Sequence, residues 1–173
     1  MIDLEVKWNF LFDYDSVTGD LIWANPSTNS LKVGDTAGSL DPKGHIRITV
    51  GTTRTSVHRI IWEMHNGKIP DGFVIDHIDC NKSNNRLENL RLANSLENAR
   101  NRPKDYNSTS GYKGVTIRKN RPNSCRAAIK VNGVNINLGT FPNTPEGLRE
   151  DARAYDAAAI KHHGDFVRLN FPL

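Results

Sequence analysis

At 173 residues, 37% hydrophobic and 24% charged, with a net charge of +4, the chain suits one domain or two small ones. No apolar run approaches the ~18 residues of a membrane span, and MIDLEVKWNF lacks the basic start and long apolar core of a secretory leader. The two cysteines, Cys80 and Cys125, exclude a disulfide framework and a four-cysteine zinc site, and the whole reads as a soluble, intracellular protein.

Residues 10–56 read as strands joined by turns. Phe12 and Tyr14 precede the turn signal SVTGD, Leu21-Ile22-Trp23 follow it, and Ile46, Ile48 and Val50 alternate with polar residues as a half-buried strand does. Residues 57–66 place Val57, Ile60, Ile61 and Met64 on one helical face, with Gly67 as the stop. The stripe of Ile61, Trp62 and Met64 is core, and His58 on this helix reads as a satisfied scaffold histidine, the alternative being that it reaches the chemistry-bearing residues further along the chain.

Residues 73–102 change character. FVIDHID predicts a short strand, CNKSNNRLEN a polar loop and LRLA a second strand; a helix then starts at Asn94 or Ser95 as N-cap. NRPKDYNSTSG, residues 101–111, has linker composition, so a domain boundary is expected there.

Residues 112–173 predict a three-stranded sheet and one helix. Val115 and Ile117, then Ile129 and Val131, then Val134, Ile136 and Leu138 alternate with polar residues. Asn132-Gly133 between two such runs is a strong hairpin signal, because both turn positions need positive φ. Thr144-Pro145 opens a helix, Leu148, Ala152, Tyr155 and Ala159 form its buried stripe, and Gly164 stops it. His162 and His163 close that helix, where cationic character suits the dipole.

Charge is unevenly spread: residues 1–99 hold 10 Lys/Arg and 13 Asp/Glu, net −3, whereas residues 100–173 hold 13 and 6, net +7. Nine basic side chains fall within 100–130 against Asp105 alone, the footprint of a polyanion partner or of a solvated basic face. The chemistry-bearing group is Asp76-His77 with Asn89 and Asn98. Asp76 and His77 are neighbours on a strand and point to opposite faces. A carboxylate and an amide oxygen suit Mg²⁺ or Mn²⁺, and histidine is the side chain able to act as general base near neutral pH.

VHRIIWEMHNG followed by IPDGFVIDHIDCNKSNNRLENLRLANSLENARN resembles the HNH endonucleases of the phage and intron-encoded homing type, and YDSVTGDLIW…KVGDTAGSLDPKGHIRITV is similar to their strand-rich lead-in. The resemblance implies a ββα-metal nuclease in which His77 is the general base, Asp76 and Asn98 hold the metal, and Asn89 steadies the base histidine and its loop. Asn98 stands where many members carry histidine, which favours Mg²⁺ or Mn²⁺ over Zn²⁺. GYKGVTIRKN, CRAAIKV, LGTF, ARAYDAAAIKHHGDFVRLNFP resemble the AP2 DNA-binding domain, whose sheet lies in the major groove. Matching strand positions make Lys113, Thr116, Arg118, Lys119, Arg126, Lys130, Asn135 and Asn137 DNA contacts, and Arg100 and Arg102 are phosphate candidates next to the metal helix. Arg86 and Arg91, which flank the motif, read equally as phosphate contacts or as solvated side chains.

The expectation is therefore an α+β chain: a ββα-metal HNH nuclease domain over 1–102 (strand-rich lead-in 10–56, core 73–102), a linker over 103–111, and an AP2-like domain over 112–173. The implied function is divalent-metal-dependent, sequence-guided hydrolysis of double-stranded DNA, by a monomer or weak dimer in the cytoplasm of a bacterial host. A DNA-binding regulator with an inactive HNH module is the alternative.

Overall fold

The computed structural model describes residues 4–28, 30–105 and 107–172. In chain order the elements are α1 (Leu4–Leu11), β1 (Phe12–Asp15), β2 (Asp20–Trp23), β3 (Ser39–Leu40), β4 (Ile46–Val50), β5 (Thr53–Ser56), α2 (Val57–Asn66), β6 (Phe73–His77), β7 (Leu90–Asn94), α3 (Ser95–Asn101), β8 (Val115–Arg118), β9 (Arg121–Val131), β10 (Val134–Pro142) and α4 (Pro145–His163). The chain divides into two compact units between Asn98 and Ala99, and among the described residues no helix is long and apolar enough to cross a membrane.

The first unit is built from three small antiparallel sheets, β1-β2, β3-β4-β5 and β6-β7, around α2. The apolar face of α2 goes inward as its spacing dictates: Val57, Ile60, Ile61 and Met64 are buried with Phe12, Leu21, Trp23, Ile48, Ile75 and Leu90. Gly67 ends the helix at φ 75°, the left-handed conformation glycine tolerates best. Helix α1 was not expected. It is fixed by long-range contacts, with Trp8 buried in the same core and donating from Nε1 to Glu63 Oε2 at 2.8 Å.

The second unit is a three-stranded sheet in the order β10-β9-β8 with α4 against one face, which accounts for the α+β expectation there. Asn132 and Gly133 do take positive φ, 49° and 84°. The Thr144 side chain accepts from Gly147 N, capping α4 one residue before Pro145. Two small clusters make the core: Val115, Cys125 and Ala152, and Ile129, Tyr155 and Ala159. Burial, with Asp151 beside it, pushes the Cys125 thiol up to about 11, so this cysteine is packing material. Asp156 accepts from the backbone of Asn170 and Phe171, and Asn170 bonds both N–H and C=O of Lys113, which ties the C-terminal segment to the start of β8.

The expected linker belongs to this second unit. Lys113 Nζ donates to the carbonyls of Arg100 and Arg102, Asn101 is buried, and Ser110 is buried with its hydroxyl on Val115 O. Residues of 102–109 thereby line a cleft of about 790 Å³ together with Tyr112, Lys113, Gly114 and Thr116. Polar composition alone reads as a tether; here the hydroxyls of Ser108 and Ser110 bond the carbonyls of Tyr112 and Val115.

Candidate active site

Strands β6 and β7 pair antiparallel with Asp76 opposite Arg91 and His77 opposite Leu90. The apolar members of the hairpin, Ile75, Leu90 and Ala93, are buried and hold it on the first unit's core, so the polar pair at its loop end is carried inward with them. Asp76 and His77 are only 7% and 4% exposed. Arg91 donates to Asp76 Oδ2 from Nε at 3.0 Å and Nη2 at 2.9 Å. One of the two flanking arginines is thus committed to the motif carboxylate. The other, Arg86, donates to Val17 O on the β1–β2 turn.

Residues 78–89 form a loop closed mainly by polar side chains, with Leu87 packed against the core. Asn89, in a short 3₁₀ turn before β7, accepts from Asp79 N through Oδ1 and donates from Nδ2 to Asp79 Oδ1 and Asn84 O. Asn84 Nδ2 donates to Asp79 Oδ2. Burial works against the Asp79 carboxylate, but the hydrogen bonds from Asn84, Asn81 and Asn89 outweigh it and hold the group below its ordinary value. Asn89 thus cross-links the loop through Asp79 and Asn84, while the amide seen on His77 is a different one. Asn85, fully buried, accepts from His77 Nε2 at 3.0 Å. An amide oxygen only accepts, so this bond places the ring proton on Nε2 and the lone pair on Nδ1. The sequence reading missed Asn85, one of several similar residues in KSNN.

His77 does not stand alone among imidazoles. Its ring lies 4.9 Å from that of His58 and 5.9 Å from that of His45, and the latter two are 5.3 Å apart. His58 is 6% exposed and its Nδ1 has no hydrogen-bond partner, so it is not the satisfied scaffold residue that its helical position suggests. His45, just before β4, likewise has a buried Nδ1 without a partner. Burial, then the neighbouring His77 and His45, lower His58 from 6.5 to about 3; burial, then Lys82 and His77, lower His45 as well.

A pH dependence follows. The unfolded chain protonates His58 near its ordinary 6.5, whereas the folded unit resists protonation until about 3, so acid favours unfolding. Denaturant midpoints of the first unit should fall steadily as pH drops from 6.5 toward 3, and H58Q should flatten that fall. A midpoint that rises on acidification through this window would contradict the buried, neutral setting of His58.

Residues 56–100 match the family described as HNH endonuclease. They carry an HNH endonuclease domain. Helix α2, the β6–β7 hairpin and the start of α3 all fall inside this stretch. A protein of Escherichia phage T7, "Protein 3.8", is 48% identical over 64 residues, covering 37% of this chain and 53% of the phage protein. An uncharacterised HNH endonuclease of Acanthamoeba polyphaga mimivirus is 33% identical over 118 residues, covering 68% of this chain and 58% of the viral one. Among solved structures, one titled "DNA binding and cleavage by the HNH homing endonuclease I-HmuI" aligns with a TM-score of 0.38 at 27% identity, over 52% of this chain and 50% of that one. The chain spans about half the length of the curated relatives it matches.

Within the HNH domain, Asp76, His77 and Asn89 occupy the hairpin and its loop, and Asn98 lies half-buried on α3. A capping box starts that helix: Asn94 Oδ1 accepts from the backbone of Leu96 and Glu97, and Glu97 returns to Asn94 N at 2.8 Å. His45 lies before the matched residues, yet its ring stands 5.9 Å from that of His77, so the lead-in sheet adds a side chain to the same histidine cluster.

In the second unit, strand register places the expected contacts. Cys125, Ala127 and Ile129 turn toward α4, which leaves Arg126 and Lys130 of β9 on the open face. Thr116 pairs with Arg126, and Asn135 and Asn137 pair with Lys130 and Ala128, so these side chains share that face. Arg118 ends β8 half-buried, Lys119 is exposed in the next turn, and Arg100 and Arg102 are half-buried and exposed. Lys113 departs from the expectation: it precedes β8, and its ammonium braces two backbone carbonyls instead of standing out from the sheet. His163 departs too. Burial lowers its pKa and its Nε2 meets Lys130 O at 3.2 Å, so it pins α4 to β9 as a largely neutral ring.

Proposed function

We propose that this chain is a divalent-metal-dependent DNA endonuclease of the homing type, in which the HNH domain cuts and the C-terminal unit reads double-stranded DNA. The observation that carries the proposal is the HNH endonuclease match over residues 56–100, which centres on Asp76 and a buried His77 gripped by Asn85. Asp76 already attracts a cationic group, the Arg91 guanidinium at 2.9 Å. With Asn98 it makes a pair of hard oxygen donors that fits Mg²⁺ or Mn²⁺, substrate phosphate and water supplying the remaining ligands. An ion bound there would neutralise charge developing on the phosphate and the departing 3′ oxygen.

The chain's own residues perform the rest. His77, with its proton on Nε2 fixed by Asn85, accepts a proton at Nδ1 from the attacking water. Asn89 keeps the loop from collapsing onto the hairpin, and Arg91 holds Asp76 in place until substrate arrives. Arg100 and Arg102 engage phosphates beside α3. Thr116, Arg126, Lys130, Asn135 and Asn137 form an AP2-like reading face, with Arg118 and Lys119 at its edge, the cations anchoring phosphates and the amides reaching base edges. Covalent attachment of the two units raises the local concentration of the cutting module at the bound site.

Supercoiled plasmid incubated with Mg²⁺ or Mn²⁺ should be converted to open circles by single-strand cuts, or to linear product by paired cuts, and EDTA should stop both. A library of DNA sites that is bound but cut with neither ion would instead favour the regulator. Binding should weaken steeply with salt, and R126A or K130A should each lower the salt slope by about one. A slope unchanged in both variants would remove the sheet face from the DNA interface.

A further inference from the structure

His45, His58 and His77 come from three separate stretches of chain: the approach to β4, the first turn of α2 and the end of β6. The fold gathers one ligand nitrogen from each to within 4.8 Å of the others. Two of the rings keep a buried Nδ1 with no hydrogen-bond partner, and one of these, His58, is 94% removed from solvent. Buried polar atoms are normally satisfied, so two such nitrogens beside a third imidazole call for a ligand that accepts lone pairs. A proton would serve only one ring at a time. A metal ion serves all three.

We infer that His45, His58 and His77 form a binding site for a borderline transition ion such as Zn²⁺, distinct from the oxygen site of Asp76 and Asn98. Three neutral imidazoles suit Zn²⁺ and Co²⁺ and are poor ligands for Mg²⁺. Tetrahedral zinc–nitrogen bonds of about 2.0–2.1 Å place ligand nitrogens about 3.3 Å apart, which small rotations of side chains now within 4.8 Å achieve. The His77–Asn85 bond is the outer-shell contact that metal-bound histidines usually make, one ring nitrogen donating to an oxygen while the other ligates. Asp76 and His77 project from opposite faces of β6, so the two sites share a strand without sharing a ligand.

Occupancy has a consequence that rests on the nuclease reading: the ion takes the lone pair with which His77 accepts a proton, and cleavage stops. Zn²⁺ is then an inhibitor of a Mg²⁺-supported reaction.

The binding itself is tested without DNA. Co²⁺ titrated into the full chain should produce the intense visible absorption of a nitrogen-rich, near-tetrahedral ion at one equivalent, and Zn²⁺ should displace it. H45A, at a half-buried position that tolerates truncation, should weaken binding by at least about tenfold, as should H58Q, whereas D76N and N98A should leave the absorption in place. No absorption band, or one that H45A leaves intact, overturns the site whatever the enzyme does. In the plasmid assay, with each protein scaled to its own rate without zinc, H45A should need at least about tenfold more Zn²⁺ than wild type for half inhibition. Equal inhibition of the two overturns the link to His77. A plasmid that is never cut removes the nuclease reading and leaves the Co²⁺ result to stand by itself.

Discussion

H77A is expected to slow DNA cleavage by about 10²–10⁴-fold while changing DNA affinity little. The first figure is the usual contribution of a positioned general base. The second follows from burial: at 4% exposure, His77 has almost no surface to offer a duplex, and the cationic and amide side chains proposed to hold DNA belong to the other unit, most of them to its sheet. Truncation also deprives Asn85 Oδ1 of its donor, so some loss of stability accompanies the kinetic effect. H77Q separates the two, because its amide can still donate to Asn85 but cannot take a proton from water. Single-turnover cleavage and a filter-binding or anisotropy titration on the same preparations make the comparison. If binding falls in parallel with cleavage in both variants, His77 is a structural residue and the proposed mechanism fails.

G114A should be the most damaging small change in the second unit. Gly114 sits at φ 75°, where any side chain is strained, and an added Cβ would lie 1.9 Å from Cδ2 of Tyr155. Tyr155 cannot step aside: it is buried on α4 against Ile129 and Ala159. The left-handed conformation costs about 1–2 kcal/mol and the overpacking about 1–3 kcal/mol, together about 2–5 kcal/mol. That is a large share of what a unit of this size has, since domains keep roughly 0.05–0.15 kcal/mol per residue. Thermal melts combined with amide exchange should show protection lost across β8, β9 and α4, and DNA affinity lost with it. A melting temperature within a degree of wild type would mean that Gly114 does not pack on Tyr155 as described.

Much of the scaffold is legible in the sequence because its signals are local. The spacing of Val57, Ile60, Ile61 and Met64, the Asn132-Gly133 turn and the Thr144-Pro145 helix start each depend on residues within a few positions of one another, and each appears where expected. Helix α1 carries no such signal; LEVKWNFL becomes a helix because Trp8 finds Glu63 and Phe12, one of them far along the chain. The site divides in the same way. Asp76 and His77 announce themselves as neighbours on a strand, but Asn85 differs from Asn81 and Asn84 only in being fully buried, a property of the folded loop. His45 carries no signal in the sequence and His58 reads more readily as scaffold than as part of the site; it is the packed unit that brings both rings to His77. Lys113 reads as one more cation in a basic run until its two carbonyl partners are seen.

The lead-in hairpin has a bearing on where the first folded unit begins. Tyr14 takes the backbone N–H of Leu87 on its hydroxyl at 2.8 Å, the carbonyl of Val17 receives Arg86 Nε, and Gly19 lies so near Arg86 N that a Cβ there would stand 2.7 Å from it. The β1–β2 turn is thus the outer wall of a mould in which the loop carrying Asn85 and Asn89 is cast. A gene fragment cut at residue 56 would keep every letter of the recognisable motif and lose the wall, together with His45. The smallest piece that could be moved into another protein as a working cartridge therefore starts ahead of β1, well upstream of the residues by which the family is known.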